Sequence, residues 1–113
     1  MFTNMKISKI KKLAEHKHYE GILPYCENED PQVRVAAAEG LAEIGTDESN
    51  NALIGMLRDH DITVKTAAVK ALGKIKENHS YAFISHEMEQ SKDETFIAAC
   101  RQALSAIHEG GHE

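Results

Sequence analysis

At 113 residues the chain is one domain by length, and 42% hydrophobic against 27% charged residues is ordinary for a soluble globular protein. A formal net charge of −5 argues against a non-specific nucleic-acid binder, which needs a basic field, and two cysteines are too few for a disulfide-scaffolded secreted domain. Aromatic residues are 5% with no Trp, so the core must be built from Ala, Leu, Ile and Val, which favours closely packed helices over a sheet.

Residues 1–17 form a first amphipathic segment with Lys6, Lys9, Lys11, Lys12 and Lys17 against the single acid Glu15. Two readings compete for it. Its lysines and apolar positions suit a membrane-surface or acidic-partner contact. Alternatively it is a capping half-repeat, with Met5, Ile10 and Leu13 covering the end of a helical stack, and the match to later segments favours that.

The segment 18–45 holds a short helix marked by Ile22 and Cys26, then a longer one. Asp30 stands where an N-cap carboxylate accepts from orphan N–H groups, and Pro31 follows at N1. Val33, Ala36, Ala37, Gly40, Leu41 and Ile44 recur at the spacing of one apolar helical stripe. Segment 46–77 repeats the pattern after the turn Gly45-Thr46-Asp47: Leu53 and Leu57, then Asp61, Val64, Ala67-Ala68, Leu72 and Ile75. Segment 78–108 repeats it after Glu77-Asn78-His79-Ser80: Ile84 and Met88, then Asp93, Phe96, Ala99-Cys100, Leu104 and Ile107. Residues 109–113 read as a frayed tail beyond a helix that stops near Ile107.

Shifting by 31 residues, then by 32, superimposes these copies, and a shift back by 31 gives a degenerate copy at Phe2, Met5, Ile10 and Leu13. Self-similarity at this period marks a solenoid. The expected fold is all-α: a right-handed α-solenoid (α-α superhelix) of about three helical hairpins plus an N-terminal half-repeat, about seven helices.

Asp-x-x-Val-Arg at 30–34, the following Ala-Ala-x-x-x-Leu-x-x-Ile-Gly and Asp61-x-x-Val64-Lys65 resemble the HEAT-like repeats also found in phycobilisome lyases, over about residues 19–107. The resemblance implies a hydrogen-bonded ladder along the stack, with Asp30, Arg34, Asp61 and Lys65 as rungs. It also implies that the second helix of each hairpin lines the concave face. The positions opposite the apolar stripe would then form a ribbon of Val35, Glu39 and Ala42, of Thr66, Lys70 and Gly73, and of Ala98, Gln102 and Ser105. That ribbon is the candidate partner-binding groove. Its plain alternative is a solvated helix back on which Glu39 pairs with Lys70.

No catalytic, cofactor-binding or metal-binding residue is expected. His108-Glu109-Gly110-Gly111-His112 spells the H-E-x-x-H of zinc peptidases, but that motif needs both histidines on one helical turn, and each glycine between them weakens a helix by about 1 kcal/mol. The other histidines, among them His16, His18, His60, His79 and His86, do not converge in the repeat. Cys26 and Cys100 occupy positions that are apolar in the other copies, so both thiols read as packing. The expected function is a non-catalytic scaffold or adaptor with a protein partner, without nucleic acid and without a membrane span, placed in the cytoplasm since no secretory signal is legible. Stack ends are the candidate surfaces for a homo-oligomer. The alternative, implied by the resemblance, is a subunit or fragment of a bilin-lyase-like or other HEAT-repeat enzyme complex.

Overall fold

The computed structural model describes residues 2–110, with side chains up to His108. Seven α-helices and two short 3-10 turns follow in chain order: α1 (Phe2–Glu15), α2 (Tyr19–Ile22) running into a 3-10 turn (Leu23–Glu27), α3 (Pro31–Ile44), α4 (Asp47–Met56), α5 (Ile62–Lys74), a 3-10 turn (Asn78–Ser80), α6 (Tyr81–Gln90) and α7 (Glu94–Gly110). The described residues contain no strand. The helices form two layers, an α-solenoid of helical hairpins measuring 38 × 32 × 16 Å. One layer stacks α1, α3, α5 and α7 in sequence; the other holds α2, α4 and α6.

Local chemistry sets where each long helix starts. The Asp30 carboxylate accepts from Gln32 N–H at 2.9 Å, Asp61 from Thr63 N–H at 2.8 Å, and Asp93 from Phe96 N–H at 2.8 Å, so each aspartate satisfies a donor the helix itself cannot. Two residues upstream a second device recurs: Asn28 Oδ1, Asp59 Oδ1 and Ser91 Oγ accept from the N–H of Asp30, Asp61 and Asp93. This fixes the bend into each long helix. α3 ends on Gly45 in the left-handed region at φ 69°, and the repeat-equivalent Lys76 holds nearly the same φ, 56°, without glycine's freedom.

Packing follows the periodicity. Val33, Ala37 and Leu41 of α3, Val64, Ala68 and Leu72 of α5, and Phe96 and Cys100 of α7 are fully buried against Ile22, Leu53, Leu57 and Ile84 of the other layer. They make one continuous core, so no hairpin buries its apolar face without its neighbours.

Two expectations need correction. Phe2 and Met5 are not core residues of the capping helix: they are 65% and 66% exposed, and α1 buries Ile10 and Ala14 instead. Each of α3, α5 and α7 packs on the first helix of its own hairpin, and among the described residues no such helix lies against Phe2 and Met5. The last helix also does not stop near Ile107; it runs to Gly110, and only residues 111–113 of the expected frayed tail lie outside the described residues.

Candidate functional site

α3 and α5 lie side by side in the layer of second helices, and the valley between them is a groove of about 760 Å³. Its floor is small and weakly apolar: Val35 and Ala42 from α3, Ala67 and Ala71 from α5, with the half-exposed Ile62 at the rim. Thr66 adds little polarity, because its hydroxyl donates back to the Ile62 carbonyl at 2.7 Å. Glu39 and Glu43 stand along the α3 wall and Lys70 and Lys74 along the α5 wall, while Asp93 and Thr95 at the start of α7 close one side.

These four wall charges are exposed, and none has an ion-pair partner among the described residues. Glu39 and Lys70 therefore do not neutralise each other across the repeats. The two walls present opposite signs to whatever lies between them, each with charges one helical turn, about 6 Å, apart.

Of the nine ribbon positions, Val35, Glu39, Ala42, Thr66 and Lys70 line this one groove. Gly73 lies elsewhere. It is buried, and a Cβ built on it would stand 2.8 Å from Ala103 Cα and Cβ, so it is a helix–helix contact rather than a surface position. With Gln102 it borders a smaller cavity of about 220 Å³ between α5 and α7. Ala98 and Ser105 stand exposed on α7.

The expected ladder is not formed. Asp30 and Asp61 spend their oxygens on their own helix starts and on the hydroxyls of Thr3 and Thr63. Arg34 instead donates through Nε and Nη2 to the carboxylate of Asp59 at 2.8 and 3.1 Å, and through Nη1 to the Asn28 carbonyl at 2.7 Å. Both side chains of that pair are buried, 6% and 9% exposed. Lys65 cannot copy this, because the position matching Asp59 is the uncharged Ser91. It pairs with Glu87 of α6 at 2.9 Å and lies over the Phe96 ring at 5.0 Å. The true partner was visible at the position two before each capping aspartate, where Asn28, Asp59 and Ser91 align.

Reading the sequence for one stripe per helix also missed a surface. On the outer layer, α4 and α6 frame a second hollow of about 760 Å³ that includes Ile54, Leu57, Ala82 and Phe83. Phe83 is 46% exposed and falls where the other copies have Gly21 and Ala52. A large apolar residue at a small-residue position was the available signal.

Nucleophilic chemistry finds little support. Burial pushes the Cys26 and Cys100 thiols up to about 11; the Glu27 charge adds to it at Cys26, while at Cys100 the Lys65 charge opposes it and Glu87 adds to it, so both stay protonated near neutral pH. Cys100 is buried and Cys26 half-buried, and neither borders the α3–α5 groove. Among the described residues no group of three or more His, Cys, Asp or Glu could hold a metal ion, and Gly111 and His112 of the peptidase-like string lie outside them. No described helix is long and apolar enough to cross a membrane.

Among curated proteins none matches the chain significantly. A family model of HEAT repeats matches residues 19–105, which takes in every element from α2 through most of α7. Capped hairpins stacked at a 31- to 32-residue period are the physical content of that match, and the chain belongs to the HEAT repeat family.

Proposed function

We propose that the chain is a non-catalytic protein-interaction scaffold whose α3–α5 groove seats a helical segment of a partner. The observation that carries this reading is the groove itself: a weakly apolar floor of about 760 Å³ between walls of opposite, unpaired charge. A helix satisfies its own backbone and can lie on an apolar floor, whereas an extended strand would bring unpaired N–H and C=O groups onto it. Glu39 and Glu43 call for basic residues four apart on one flank of that helix, and Lys70 and Lys74 for acidic residues four apart on the other. Small side chains fit the stripe between.

Affinity capture from a lysate tests the groove, using the wild-type chain beside a Val35→Arg, Thr66→Glu variant matched in helicity. A protein retained by the wild type and lost by the variant supports the groove. Identical captures from both would sink it. Visible absorbance in the purified chain would favour the bilin-lyase-like alternative instead.

A further inference from the structure

α1 is the first of the stacked helices among the described residues, and its outer face is the part least explained by packing. Phe2 and Met5 are more exposed than any other large apolar side chain among the described residues. On the helix they share one stripe with Lys9 and Lys12, at i, i+3, i+7 and i+10, and all four are exposed. Lys11 is exposed as well, Lys17 follows the helix, and none of these lysines has an ion-pair partner among the described residues. The opposite face buries Ile10 and Ala14 while α1 packs on α3, so the stripe points away from the stack.

We propose that this outer face of α1 docks on an anionic lipid surface. The helix lies flat, Phe2 and Met5 enter the boundary between headgroups and acyl chains, and the lysines meet the acidic headgroups. Three observations choose this occupant. A second copy docking by the same end would set lysines against lysines. The shallow hollow along the stripe is bordered only by α1 residues, Asn4, Met5, Ser8, Lys9 and Lys12, so no second wall closes on a peptide, whereas a plane needs none. The chain as a whole carries −5, which turns the rest of the molecule away from the same surface.

Co-sedimentation of the full chain with vesicles tests this, comparing phosphatidylcholine alone with phosphatidylcholine containing about 30% phosphatidylserine. The wild type is expected to sediment with the anionic vesicles, to stay in solution with the neutral ones, and to be released as salt rises from about 0.05 to about 0.5 M. Phe2→Ser, Met5→Ser and, separately, Lys9→Glu, Lys12→Glu are each expected to weaken binding at least tenfold, with melting temperatures unchanged because these side chains make no core contact. Equal binding to both vesicle types, or binding unaltered in the Phe2/Met5 variant, would overturn the proposal. So would a wild type that ignores both vesicles yet binds poly-glutamate, which would point to an acidic protein. The stripe shares no residue with the α3–α5 groove, so its failure would leave the groove reading intact.

Discussion

The seam between α3 and α5 and the seam between α5 and α7 are cut from one repeat template, yet they close differently. At the first, the buried Arg34 bridges the Asn28 carbonyl and the Asp59 carboxylate, and the second-helix layer stays open as a groove of about 760 Å³. At the second, the partly exposed Lys65–Glu87 pair and the Phe96 ring replace that clamp. Gly73 there sits directly on Ala103, and the cavity shrinks to about 220 Å³. The repeat equivalents of Gly73 and Ala103 in the first seam are Ala42 and Ala71, and both line the wide groove. Gly73 has no methyl to hold Ala103 off, whereas Ala42 at the equivalent position turns its methyl into the wide groove. Solenoid seams are tuned one at a time, because each repeat answers only to its neighbours.

The largest effect should come from the first seam's clamp. Arg34→Ala leaves the Asp59 carboxylate buried without its partner and is expected to cost about 3–5 kcal/mol in denaturant unfolding. Lys65→Ala, at the equivalent position of the second seam, is expected to cost below about 1 kcal/mol, since its pair is partly solvated. Equal costs would erase the contrast between the seams. Leu72→Ala removes a fully buried side chain from the helix common to both seams and should cost about 2–5 kcal/mol; a tolerated change would mean that the repeat register is wrong.

Gly73→Ala sharpens the comparison further. The added methyl meets Ala103 backbone at 2.8 Å, so α5 and α7 must part. We expect a loss of about 1–3 kcal/mol despite the better helix propensity of alanine. A neutral result would show that the second seam has slack.

The smallest effect is acid sensitivity. Thr3 hydroxyl and Gln32 N–H hold the Asp30 carboxyl below its ordinary range, and Thr63 hydroxyl and N–H do the same for Asp61. Burial opposes ionisation of Glu77, but hydrogen bonds from His79 N–H, the His79 ring and the Asn50 amide outweigh it and lower that group too. These groups ionise more readily folded than unfolded. Their contribution is therefore complete above the unfolded carboxylate values and is lost as pH falls through the lower folded ones, below about 4. Unfolding free energy should decline there, and Asp30→Asn with Asp61→Asn, which keep the caps but cannot titrate, should flatten the decline. An unchanged slope in that pair would place the acid sensitivity elsewhere.

How much of this was legible depends on how local the interaction is. Asp30, Asp61 and Asp93 were readable as caps because a cap joins residues two or three apart, and the buried Val33, Leu41, Val64 and Leu72 were readable because a helix repeats every 3.6 residues. The partner of Arg34 lies 25 residues away, and choosing Asp59 over Asp61 required knowing that the capping carboxylate was already engaged. Gly73 reads as a surface position on its own helix; only the approach of α7 buries it. Phe2 and Met5 match the core template, yet among the described residues no helix packs over them.

The sequence by itself determined the helices, their caps, the hairpin period and the apolar stripe, since each depends on contacts within one turn or on simple periodicity. Tertiary structure decided which seam opens into a groove, which charges are clamped and which stay unpaired, and which end exposes an apolar stripe. Those outcomes depend on the distance between neighbouring helices, and that distance is set by how side chains from different repeats meet.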